Sequence, residues 1–315
     1  MPYIDVSMRL KLNGNFMTKT SFAQLSDRAL IAVSGSEAEA FLQGLITNDI
    51  SLLDDKVWLY AGLLTPQGKI LFEFFIARQN NGFMLDCALG AKDELIKRLG
   101  FYKLRADVSF TALDDKYQMA ALWSQSGKIE LTFLPEGALC FPDPRLEAAG
   151  MRLALPVESL EGFIEQNGLA LLDLEHYHQH RISLGLADSA DIGSGEHFIH
   201  ECNFDQLHGV SFSKGCYIGQ EVVSRVEHRA TARKRMLPVE IKGPPPQAGA
   251  IVKAGDKSIG EVLSQADNRA IILLRLDHAE AALAQGLLLT AGDATLHIIA
   301  PDWAKFQVPG TQEHA

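Results

Sequence analysis

No stretch of this sequence approaches the roughly 18 consecutive apolar residues that a spanning helix needs, so a membrane role is not expected. The opening residues MPYIDVSMRLKLNGNF carry an acid early and no apolar run of signal-peptide length. With Met8 as an alternative start, a cytoplasmic location is the expectation. Positive charge is short too: 29 Lys and Arg face 39 Asp and Glu, a net charge of −10. Such a chain does not hold nucleic acid across its whole surface, because neutralising phosphates takes clustered cations. Any anionic ligand must meet a local basic patch. There are only four cysteines, Cys87, Cys140, Cys202 and Cys216, and none forms a C-x-x-C pair. Reduced thiols are expected, not disulfides. The G-x-G-x-x-G, P-loop and G-x-S-x-G patterns are missing, which leaves nucleotide-binding and hydrolase readings without a motif.

What is present suits a folded chain of about two domains: 315 residues, 47% of them hydrophobic. Arg28 to Val33 reads as a strand ended by Gly35. Ser36 with Glu39 three residues later reads as a capping box opening a helix with Phe41, Leu42 and Leu45 on one face. Val57 to Leu64 and Ile70 to Ala77 flank Thr65-Pro66-Gln67-Gly68, a turn sequence, and so predict a hairpin. Phe83 to Cys87, after Asn80-Asn81-Gly82, Val108 to Leu113 and Tyr117 to Trp123 read as further strands, with a helix from about Ala91 to Phe101. Pro156 is placed at a helix start and Leu171 to Ser183 in another helix. Strands joined by short turns with occasional helices predict an α+β fold with largely antiparallel sheets. Leu186 to Gly215 shows no period, and long ordered loops are often functional. Gly243-Pro244-Pro245-Pro246 reads as a stiff connector between an α+β region, 20–240, and a domain over 241–308 whose short runs suggest a small antiparallel barrel.

The stretch Lys214-Gly215-Cys216-Tyr217-Ile218-Gly219-Gln220-Glu221 carries the most chemistry. Two glycines bracket Cys216 and Tyr217, and glycine permits tight turns and close approach of a ligand. A helix pattern starts at Gln220. A thiol just before a helix N-terminus, with Lys214 close in sequence, should have a lowered pKa. Cys216 is then a candidate nucleophile, redox thiol or soft-metal ligand; a buried structural cysteine is the bland alternative. Arg225, His228, Arg229, Arg233, Lys234 and Arg235 follow, opposed by Glu227, and could form an anion patch. Seven of the ten histidines fall between His176 and His228. His176 and His180 would share a helix face, but no H-E-x-x-H partner accompanies them, and no metal site is expected.

The eight-residue signature resembles that of the YgfZ family, relatives of the glycine-cleavage T-protein. The likeness extends to Arg28–Gly35, FLQGLITNDI, LLTPQGKIL, Asn203 and ARKR, in order, across roughly residues 20 to 300. The spacing of Arg225, His228 and Arg233-Lys234-Arg235 is nearer the mitochondrial branch than the enterobacterial one. The resemblance implies a T-protein-like ring of three domains, two α+β and a C-terminal β-barrel. It implies a tetrahydrofolate site, with Arg28, Tyr177, Asn48 and Asn203 as the folate-binding residues. It implies a role in making or repairing [4Fe–4S] proteins, including the enzyme that thiomethylates tRNA, through Cys216. Lys214, Gly215, Tyr217, Gly219, Gln220 and Glu221 should shape the cysteine loop, with Arg225 near it. Partners would be folate and iron–sulfur client or assembly proteins. Two departures stand out. Where the T-protein has its Asp-Asp pair this chain has Leu71-Phe72, with Glu73 one residue late. A one-residue shift on a strand reverses the face, so ordinary aminomethyl transfer is not expected. Arg28 and Tyr177 stand where the enterobacterial branch has two tryptophans. Competing expectations are a one-carbon transferase or demethylase using Asp49 or Glu73, and a binding module in which Cys216 is structural.

Overall fold

The computed structural model describes residues 20–54, 58–79, 82–126, 128–229 and 232–311. The expectations on Met8, Val57 and Asn80-Asn81 fall outside these residues. Along the chain run β1 (Ser21–Gln24), β2 (Arg28–Ser34), α1 (Ala38–Gln43), β3 (Trp58–Leu64), β4 (Ile70–Gln79), β5 (Gly82–Ala88), α2 (Lys92–Lys103) and β6 (Ser109–Ala112). Next come β7 (Tyr117–Trp123), β8 (Leu139–Pro142), β9 (Met151–Pro156), α3 (Leu160–Gln166), β10 (Ala170–Leu172), α4 (Leu174–Ser183), α5 (Ser189–Ile192) and α6 (Gln220–Arg229). The C-terminal part holds β11 (Lys234–Lys242), β12 (Ile251–Ala254), β13 (Lys257–Ala266), β14 (Arg269–Arg275), α7 (Leu276–Leu283), β15 (Leu289–Ala291) and β16 (Ala294–Ile298).

Two five-stranded sheets, β3-β4-β5-β2-β6 and β10-β1-β7-β9-β8, accompany a closed barrel, β11-β14-β13-β12-β15-β16. Among the described residues β1 and β10 form the one parallel strand pair. Every residue of β3 is buried, as a strand covered on both faces requires. On one face Leu59, Ala61 and Leu63 join Phe72, Phe74 and Ile76 in a core that includes Leu95 and Leu99 of α2. On the other, Trp58 and Tyr60 join Phe75 in a second core, reached also by Ala121 and Phe141 of the second sheet and by Met236 and Ile271 of the barrel. Trp58 stacks on Phe141 with centroids 3.7 Å apart. All three units therefore meet on one apolar cluster.

Several local expectations are corrected by tertiary contacts. The capping box does not form: Ser36 Oγ donates to Asp107 at 2.7 Å, and Glu39 pairs with Arg78 at 2.9 Å. Pro156 ends β9 and caps a single 3-10 turn, Val157–Ser159, which runs into α3 at Leu160, so the α-helix itself opens four residues after the expected start. Residues 170–172 pair with β1 before α4 begins at Leu174. Gly243 to Pro246 is no connector between domains. It joins β11 to β12 inside the barrel, which begins at Lys234, ahead of the expected boundary at 241.

Candidate functional site

Helix α1 ends at Gln43; the Gly44 N–H serves the Ala40 and Leu42 carbonyls, which leaves to other donors the Gln43 carbonyl and those of Ile46 and Asn48 in the segment beyond the helix. Lys214 answers them from far along the chain: Nζ donates to Gln43 O at 2.8 Å, Ile46 O at 2.7 Å and Asn48 O at 2.8 Å. An ammonium has three protons, so its donors are all used. Burial draws its pKa down to about 8, with Asp49 opposing. The expected action of Lys214 on the Cys216 thiol is corrected here: the charge faces inward, onto carbonyls and the Tyr217 ring 5.1 Å away.

The far side of the loop is pinned by backbone contact. Gly219 has φ +82°, and a Cβ there would lie 2.6 Å from Thr65 O. The turn of the β3–β4 hairpin thus seats directly on the signature, with Gly68 against Val222 of α6. Tyr217 is buried, and burial pushes its phenol up; Ile218 packs on the α2 core. Between these anchors Gly215 and Cys216 are exposed. Gln220 and Glu221 open α6, and exposed Arg225 folds back onto Glu221 at 2.6 Å, a pair worth little at that exposure.

The other cysteines differ. Cys87 and Cys202 are buried and Cys140 partly so. Burial raises Cys87 and Cys140 to about 12, and raises Cys202 strongly. Iodoacetamide at pH 8 is therefore expected to give one adduct on the native protein, lost in Cys216→Ala, and four after denaturation. Two rapid native adducts in the mass spectrum would contradict this burial pattern.

The basic run does not act as one patch. Arg235 is buried against Asp205, at 2.6 and 2.8 Å, donates to His200 O at 2.9 Å and lies over Phe306. Its place in an exposed anion patch is corrected: two carboxylate oxygens already claim its fork. His228, Arg233 and Lys234 are exposed. The Arg229 side chain lies outside the described structure. Glu227 binds His200 at 3.0 Å. His200, Asp205 and Glu227 converge, as do Asp27, His178 and Asp188, but arginines already hold both sets: Arg235 on Asp205, and Arg181 on Asp188 at 2.8 Å.

Where the three units meet lies a buried ionic network. A bulge re-phases β4: Leu63 opposes Phe72 and Leu64 opposes Ile70, which leaves Leu71 unpaired. Glu73 then faces the centre. Its Oε1 accepts from Arg28 at 2.5 Å and from Ser189 at 2.5 Å, while its buried Oε2 has no hydrogen-bond partner among the described residues. Arg28 also donates to Asp86 at 2.7 Å, and Arg152 joins Asp86 to the Tyr177 hydroxyl at 3.0 Å. Burial alone would raise the Asp143 carboxyl, but Arg145 beside it holds it low. Arg28, Arg145 and Arg152 all lie over Phe75. Of the four expected folate contacts, Arg28 and Tyr177 meet in this network. Asn48 instead ties Tyr60 O to His208 O, and Asn203, at φ +60°, donates to Met236 O. Sequence reasoning missed Asp86, Asp143, Arg145 and Arg152. The available signal was a lone charge inside an apolar run, as Asp86 is within Phe83–Cys87 and Arg152 within Met151–Leu155.

Residues 233–306 match the family model of the CAF17 C-terminal β-barrel domain. The mitochondrial iron–sulfur cluster assembly factor IBA57 of Homo sapiens is 31% identical over 274 residues, 80% of this chain and 76% of that protein. The chain belongs to the IBA57/CAF17 family. The IBA57 homologue of Mycosarcoma maydis is 31% identical over 242 residues, 72% of this chain but only 59% of the relative's length. Among solved structures, the glycine-cleavage aminomethyltransferase T of Bartonella henselae superposes with TM-score 0.72 at 17% identity, over 91% of this chain and 88% of that one. The α+β architecture with its six-stranded antiparallel barrel is therefore of the T-protein type.

Proposed function

We propose that this protein is an accessory factor for the assembly or repair of [4Fe–4S] proteins, acting through Cys216. The observation that carries the reading is one exposed thiol on a loop pinned at Lys214 and Gly219, in a chain whose other cysteines are shielded. The family relatives, whose names describe iron–sulfur assembly factors in mitochondria, supply the chemical context. Biological iron–sulfur clusters are held mostly by several thiolates. One exposed cysteine cannot hold a cluster alone, so the remaining ligands come from an assembly or client protein. On this reading the chain works in the cytoplasm, its clients include the tRNA-thiomethylating enzyme, and effects on tRNA are indirect, as suits a net charge of −10.

Anaerobic reconstitution with iron and sulfide tests the ligand count. The protein alone should develop no stable visible charge-transfer absorption. With glutathione supplying thiolates, absorption should appear and co-elute with the protein, and Cys216→Ala should abolish it. A cluster held by the chain without added thiol would refute the shared-ligand reading.

Tetrahydrofolate enters through the fold and one atom of the central network. Glu73 Oε2 is a buried acceptor without a donor, which fits the N–H edge of a pterin ring, and Tyr177 supplies an aromatic face nearby. The same carboxylate favours the one-carbon transferase alternative, but its Oε1 is tied to Arg28, which opposes its use as a general base. A titration showing no saturable tetrahydrofolate binding would remove folate from both readings.

A further inference from the structure

Two residues of the basic run, Arg233 and Lys234, meet Arg275 at one place. A cleft of about 230 Å³ lies between the last turns of α6 and the start of the barrel. Phe198 and Val226 supply apolar walls, and Arg233, Lys234 and Arg275 supply cations. Lys234 and Arg275 are direct partners in the antiparallel β11–β14 ladder. Side chains at such positions project from the same face about 5 Å apart, and like charges placed so repel. Asp277 relieves Arg275 at 2.9 Å, whereas Lys234 and Arg233 have no ion pair among the described residues. One acid, Glu201, also lines the cleft; it accepts from the Phe198 N–H at 3.0 Å and lies 3.9 Å from His197. The Lys69 ammonium approaches the Phe198 ring at 5.8 Å. In a chain of net charge −10, this is a concave site where Arg233 and Lys234 carry charge that no carboxylate answers among the described residues.

We infer that this cleft binds a small organic acid, with its carboxylate on Arg233 and Lys234 and a short carbon chain on Phe198 and Val226. Arginine forks match carboxylates in paired hydrogen bonds. The cavity is smaller than the roughly 300–1,000 Å³ usual for larger ligands, and its apolar walls favour a carbon chain over inorganic phosphate. Neither Cys216 nor any residue of the central network lines the cleft.

The test is an NMR titration of the full chain with glutarate and, at matched ionic strength, with inorganic phosphate. Glutarate should saturate a single site, with amide shifts centred on Val226, Arg233, Lys234 and Arg275. Phosphate should bind at least tenfold more weakly. The double variant Arg233→Gln/Lys234→Gln changes two exposed side chains; it should keep its melting temperature and lose at least tenfold in glutarate affinity. Cys216→Ala should bind glutarate as wild type does, so failure here and failure of the cluster reading are separable. Shifts that never saturate, phosphate binding equal to glutarate, or full affinity in the double variant would overturn the inference.

Discussion

Replacing Arg28 with alanine is expected to lower stability by roughly 3–5 kcal/mol, the usual cost of removing one partner from a buried ion pair. Arg28 is the bridge between Glu73, at 2.5 Å, and Asp86, at 2.7 Å, and both carboxylates are almost fully buried. Arg152 keeps a bond to Asp86, but Glu73 would retain only the Ser189 hydroxyl. A buried carboxylate without a cation prefers its proton. The deficit should therefore be largest near neutral pH and shrink on acidification, as Glu73 becomes neutral. Adding Glu73→Gln to Arg28→Ala should recover part of the loss, since the two sites are coupled. Chemical denaturation across pH measures both effects. A loss below about 1 kcal/mol, the size typical of an exposed pair, would show that solvent reaches the network. The wild type has its own acid limit. Arg145 holds the Asp143 carboxyl below its ordinary range, so that contribution is complete above the ordinary carboxylate pKa and is lost as pH falls through the folded value.

Lys214→Met should cost about 3 kcal/mol, through the loss of charge-assisted bonds that leaves buried carbonyls short of donors. Three acceptors, Gln43 O, Ile46 O and Asn48 O, share this one ammonium. The methionine keeps much of the length, so the loss reports hydrogen bonding more than packing. Hydrogen exchange should accelerate over residues 43–48 and across the signature loop, while the barrel stays protected. The variant should also lose function with its thiol intact, because the loop that presents Cys216 is no longer fixed at its start. Unchanged exchange at both places would mean that the Gly219 contact alone holds the loop.

The hairpin, most of the barrel strands and α6 were legible because each rests on local pattern: apolar alternation, turn chemistry and helical spacing. What escaped was set by distant partners. Lys214 lies two residues from Cys216 in sequence, yet its charge is claimed by carbonyls at and just beyond the end of α1. Arg235 looked like part of a basic patch until Asp205, thirty residues earlier, took both of its terminal nitrogens. Glu73 looked mis-phased, and a bulge that no spacing announces turned it to the centre. The triple proline looked like a boundary because a proline run reads as a connector wherever it falls; only strand pairing places it within the barrel.

The most direct test of the central claim is rescue of cells that lack their own family member. They would receive this protein or its Cys216→Ala variant, and [4Fe–4S] enzyme activity would be measured under oxidative stress. Wild type should restore activity and the variant less than a tenth of it, with both proteins folded and equally abundant. Equal restoration by the two would contradict a role for the Cys216 thiol in cluster assembly.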